Sequence, residues 1–139
     1  MHDLAEAIRT HWSGDISLTQ LVPVDRLATG TYRAVDPIQP FATLTFPVTG
    51  DAARANDGST IENVSVRLTI TTGDDATDYA EAGELALAIR ARFEAATFQL
   101  PDDAGRVVDV RVLFGEQIEC PESGQWTIHL ELLCKVYRP

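Results

Sequence analysis

Between residues 61 and 72 the chain reads IENVSVRLTITT, and this alternation constrains the fold more than any other stretch. Val64, Val66, Leu68 and Ile70 fall on one side of an extended strand; Ser65, Arg67, Thr69 and Thr71 fall on the other. Such a strand belongs in a sheet with one buried and one polar face. Directly after Gly73 the period changes. Ala82, Leu85, Ala86, Ile89, Phe93 and Ala96 recur at helical spacing, and the small alanines let a helix approach a sheet closely. Asp74, Asp75 and Asp78 crowd its start and Arg90 and Arg92 its end, the order that the helix dipole favours.

The other elements follow from the same two periods. Leu4, Ile8 and Trp12 predict a short helix over residues 3–12, and a second helical turn is expected at 17–21. Residues 25–40, broken by Gly30, Pro37 and Pro40, read as loop with a brief strand near Tyr32. In residues 41–48 Ala42, Leu44, Phe46 and Val48 alternate with threonines, and Pro47 places this strand at an edge or at its end. Residues 49–60, TGDAARANDGST, read as a long polar connection ending in the turn-forming triplet Asn56-Asp57-Gly58. Val108, Val110, Val112 and Phe114 alternate with Asp109, Arg111 and Leu113, and a second alternation runs from Trp126 to Val136. A turn at 121–124 would join these two runs as an antiparallel hairpin. The expected fold is a single α+β domain over residues 1–139, an antiparallel sheet with helices packed on one face.

Composition bounds the chemistry. At 139 residues the chain suits one domain without metal or disulfide support. Its 21 acidic against 11 basic residues, a formal −10, argue against gripping nucleic acid or anionic lipid through net charge. Ten of the basic residues are Arg and one is Lys135, and Arg suits bidentate interface pairs. The start MHDLAEAIRTHW lacks the pattern of a secretory leader, and no apolar run approaches the ~18 residues of a membrane span, so a cytoplasmic location is expected. In the predicted hairpin Cys134 pairs near Val110 while Cys120 sits by the turn. About ten residues of ladder then separate the thiols by roughly 30 Å, far beyond disulfide reach, and both are expected free. His2, His11 and His129 show no ligand spacing, and no nucleophile elbow or phosphate loop occurs. The acidic cluster from Asp74 to Glu84 reads as a capped, solvated helix start. No catalytic, metal or cofactor residue is indicated.

The whole arrangement resembles the small tail-completion or tail-terminator proteins of long-tailed bacteriophages and prophages. The likeness rests on the first helix at 4–12, the Pro-flanked strand PIQPFATLTFPV at 37–48, the passage NVSVRLTITTGDD at 63–75 into the helix DYAEAGELALAIRARFEA, and the closing WTIHLELLCKVYRP at 126–139. The segment GEQIECPESGQWT at 115–127 departs from that pattern, which has more Asp and Gly in this hairpin. The resemblance implies a structural protein without enzymatic activity. It would be a ring-shaped homo-oligomer, a hexamer, that caps the tail tube at the head–tail junction and touches tail-tube and head-connector proteins. It also implies assembly in the host cytoplasm and residence in the virion. Six copies would bring roughly −60 formal charges together, which suits a channel through which DNA slides without sticking. Candidate contact residues are Asp51, Arg54 and Asp57 in the 49–60 segment, and Arg67 and Arg111 on the polar strand faces. An adaptor module using a sheet edge and a small α+β enzyme with an unrecognised cleft remain as alternatives.

Overall fold

The computed structural model describes residues 2–30, 40–46, 49–73, 76–120 and 125–139. Three helices and seven strands occur among them: α1 (His2–Ser13), α2 (Ile16–Leu21), β1 (Leu27–Thr29), β2 (Phe41–Thr45), β3 (Thr49–Arg54), β4 (Thr60–Thr71), α3 (Ala76–Phe93), β5 (Phe98–Gln99), β6 (Arg106–Cys120) and β7 (Gln125–Arg138). The strands form one sheet in the order β1-β2-β4-β7-β6-β5, with β3 paired to β4 beyond the end of β2. The α+β class is therefore as the periodicities indicate.

The two long alternating runs do pair as read. Val64, Val66, Leu68 and Ile70 of β4 lie opposite Cys134, Leu132, Leu130 and Ile128 of β7, and all eight are buried. The same core holds Leu4, Ile8 and Trp12 of α1 and Leu85, Ile89 and Phe93 of α3. Each fully buried Leu, Ile or Phe contributes about 1.5–3 kcal/mol by leaving water, which ties the helices to the sheet. The Trp12 indole is also satisfied, its Nε1–H donating to the Val22 carbonyl at 2.9 Å. Helix α2 starts where Asp15 caps it, accepting from the Leu18 amide at 3.2 Å.

Three expectations are corrected. The sheet is mixed rather than antiparallel, because β1 runs parallel to β2 with Leu27 opposite Ala42 and Thr29 opposite Leu44. A parallel pair needs a crossover instead of a tight turn, and three residues are too few to display a strand period. The brief strand expected near Tyr32 lies outside the described residues. The expectation that the Pro47 strand lies at an edge or ends there holds by its second arm: β2 ends at Thr45, with β1 and β4 on either side. Most of the 49–60 segment is strand: β3 folds back on β4 as a hairpin, with Arg54 opposite Thr60. Its Ala, Asp and Gly residues carry little strand propensity, so pairing with β4 decides the outcome.

The third correction lies in β6. The register shifts between Val107 and Asp109, so Val107 enters the core in place of Val108, and Val110 and Val112 follow. A second shift falls between Phe114 and Gln117. Gly115 occupies it with its backbone so near β7 that a Cβ would sit 2.3 Å from the His129 carbonyl oxygen. The predicted turn at 121–124 and the predicted cap at Asp74 and Asp75 lie outside the described residues. The thiol separation does follow: Cys134 pairs with Val110, Cys120 with Gln125, and Cys134 is a free, buried cysteine.

Candidate functional site

Opposite the core, β4, β7 and β6 present their other parity. Across these strands Ser65, Leu133 and Arg111 share one row, and Arg67, Glu131 and Leu113 share the next. The Ser65 hydroxyl donates to the Glu131 carboxylate, and the Thr69 hydroxyl and His129 Nδ1 are 3.2 Å apart. These cross-strand bonds fix the middle of the face while Arg67, Arg111 and Lys135 remain exposed. Between β4, β7 and β6 the face dips into a hollow of about 430 Å³ lined by Asn63, Ser65, Asp109, Arg111, Leu133 and Lys135. Half-exposed Leu113, 40% accessible, borders a second hollow with Arg67, His129 and Glu131.

The charge of this face is opposite in sign to that of the chain. Arg67, Arg106, Arg111 and Lys135 stand there against Asp109 and Glu131, a net +2 that leaves −12 to the rest of a −10 chain. Signs alternate along the face and leucines lie between them. Mixed charge with half-exposed apolar side chains is the composition of a protein-contact surface rather than of a phosphate-binding one.

The five residues singled out by sequence do not converge. Arg67 and Arg111 share the open face, two strands apart and offset by one row, with Cα atoms roughly 12 Å apart. Arg54 is exposed at the end of β3, and Asp51 lies at the register shift between Thr49 and Ala52. Asp57 builds the hairpin turn: its carboxylate accepts from the Ser59 amide at 3.0 Å and the Ser59 hydroxyl at 2.7 Å. These bonds hold its carboxyl below the usual range. Gly58 completes the turn at φ +89°. Sequence reasoning missed Lys135, Asp109 and Glu131 as members of the face. The signal was present in the polar parity of β6 and β7, but it acquires meaning only once the two strands are in register.

The described residues set two hydroxyls beside potential bases, Ser65 by Glu131 and Thr69 by His129, both as cross-strand bonds of the sheet face. Three or more His, Cys, Asp and Glu side chains do not gather into a metal-holding group among the described residues. His11 is structural: its Nε2 faces the Arg92 carbonyl at 3.0 Å, and its ring stacks on Phe98 with centroids 4.6 Å apart. Burial pushes its pKa down. The Cys134 thiol is pushed up to about 12 by the apolar core around it, so it stays protonated and inert. No described helix is long and apolar enough to cross a membrane.

Opposite its packed core, then, the protein presents a sheet face of alternating charge. Over residues 6–134 the chain matches the family described as tail completion protein gp17. It belongs to that family, and its role is a structural one in tail completion. Among solved structures it is similar to a chain of the virion of a native gene transfer agent (GTA) particle. That likeness has 19% identity and a TM-score of 0.65, and covers 96% of this chain and 94% of the other. It is a likeness of fold. No curated protein sequence matches.

Proposed function

We propose that the protein acts as a ring-shaped homo-oligomer, a hexamer, that caps the tail tube at the head–tail junction. In this reading it meets tail-tube and head-connector proteins, performs no catalysis and needs no cofactor. Residues 1–139 act as one domain whose helices lie against one face of the sheet and leave the other for neighbours. The observation that carries the reading is the match to the tail completion family over residues 6–134. The full-length likeness to a chain of the gene transfer agent virion supports a place in the particle itself. The protein assembles in the host cytoplasm and leaves with the virion.

The five sequence candidates take two parts in this proposal. Arg67 and Arg111 serve contacts on the open face, while Asp51, Arg54 and Asp57 serve contacts made by the β3–β4 hairpin. DNA passes through the ring without specific binding. The test is deletion of the gene in a producing strain, followed by electron microscopy. Heads and tails that accumulate separately, and join again when the gene is restored, are expected. Normal particles from the deletion strain refute the role.

A further inference from the structure

Among the described residues nothing packs over two surfaces of this molecule, and the two carry opposite charge. One is the open sheet face, with its hollow of about 430 Å³, its net +2 and its half-exposed Leu113. The other is the solvent side of α3. There Ala80, Glu84, Leu87 and Ala91 recur at helical spacing and are all exposed, with Glu81 beside them. Leu87 is 65% accessible, a projecting apolar side chain flanked by Gly83, Glu84, Ala91 and by Arg90, whose guanidinium lies over the Phe114 ring.

We propose that the open sheet face of one copy receives the solvent side of α3 of the next copy, Leu87 entering the hollow and Glu81 and Glu84 meeting Arg111 and Lys135. This rests on the self-assembling ring read above and specifies its contact. A ring requires two different surfaces on each subunit, joined head to tail. These two are unlike surfaces and differ in sign of charge, as that condition favours. Repeated around the ring, the contact buries Leu87 and removes uncompensated charge from both surfaces. DNA is the other occupant a basic face could take. The interspersed Asp109 and Glu131 and the neighbouring leucines favour protein.

The test uses two full-length variants, a sheet variant (Arg111→Glu, Lys135→Glu) and a helix variant (Glu81→Lys, Glu84→Lys), each checked for wild-type circular dichroism. Sedimentation velocity up to about 1 mM is expected to show the wild type assembling and each variant alone weakened at least about ten-fold. An equimolar mixture is expected to reassemble. The sheet variant keeps an acidic helix for the wild-type sheet of its neighbour, and the helix variant offers a basic helix to the acidic sheet. A variant that assembles like wild type, a mixture that stays dissociated, or a wild type monomeric throughout each overturns the contact. Loss of duplex-DNA binding by the sheet variant, with sedimentation unchanged, also overturns it and gives the face to DNA. Because tail completion is scored separately in the producing strain, particles completed normally by both variants remove this contact and leave that role intact.

Discussion

Arg138 joins the end of the last strand to the start of the first helix, and removing that tie has a calculable effect. Its guanidinium meets Asp3 at two points, Nη1–Oδ2 at 2.6 Å and Nη2–Oδ1 at 3.3 Å, while Nε stands 3.4 Å from Glu62 of β4. The Asp3 carboxyl is held down to about 2 from an ordinary 3.8, chiefly by the Arg138 hydrogen bond. That gap is worth about 2.4 kcal/mol if fully expressed. Both side chains keep about a quarter of their surface in water, 25% and 24%, so solvent screening reduces the contribution to about 1 kcal/mol. The folded pKa lies below the unfolded one. The stabilisation is therefore complete above pH 3.8 and is lost as pH falls toward 2. Asp3→Asn should cost about 1 kcal/mol at pH 7, or about 3 °C in Tm, and only about half as much at pH 3. Urea unfolding followed by tryptophan fluorescence at constant ionic strength measures both values. Adding Arg138→Gln completes a double-mutant cycle, and Arg138→Gln alone should cost more than Asp3→Asn because Glu62 also loses its partner. Equal wild-type and Asp3→Asn stability at pH 7, a difference unchanged at pH 3, or strictly additive effects would refute the reasoning.

Burial lowers the pKa of His11, so its folded state favours the neutral ring and stability should decline as pH falls below 6.5. His11→Phe should flatten the stability slope between pH 6.5 and 5.5 in the same urea assay. Gly115→Ala places a Cβ 2.3 Å from the His129 carbonyl oxygen and should cost about 2 kcal/mol or more through a forced shift of β6 against β7, read as a fall in urea midpoint. Ala95, just past the end of α3, holds φ +58°, a conformation that glycine adopts without strain. Ala95→Gly should therefore stabilise by about 0.5–1 kcal/mol, a gain in Tm. In a Cys120→Ser variant the remaining Cys134 thiol should ignore a disulfide reagent until denaturant is added, because it is buried with its pKa near 12.

The parts of the fold legible in the sequence are those whose period is long and whose pairing is sequential. The β4 alternation over twelve residues and the α3 stripe over eighteen leave one reading each. The last two alternations placed Cys134 close to Val110, and it pairs there once the shift between Phe114 and Gln117 is counted. Where partners are distant or local propensity is weak, the reading failed. β3 has alanines, Asp51 and Gly50 where a strand usually carries branched residues, and only β4 makes it one. β1 is three residues long and pairs parallel across residues 30–40, which no local pattern records. The bulge that brings Val107 into the core inserts one residue into an unbroken V-V pair, so both parities looked equally apolar. The candidate site suffered the same limit. Arg67 and Arg111 were visible as polar-face residues, but their company of Lys135, Asp109 and Glu131 depends on the order of three strands.

That dependence changes what the formal −10 means. As an average it describes an acidic protein that repels its own copies, and six copies would multiply the repulsion. The folded chain does not present an average. It gathers four cations and two carboxylates on one sheet face and leaves −12 on the remainder. Repulsion between distant parts of neighbouring copies is damped over a Debye length of about 8 Å at physiological salt, whereas groups in direct contact are screened far less. Local complementarity can therefore outweigh a larger global repulsion. A chain of one sign throughout would have no surface to offer its own copy. Segregated charge supplies two unlike surfaces, and two unlike surfaces are what head-to-tail closure into a ring requires.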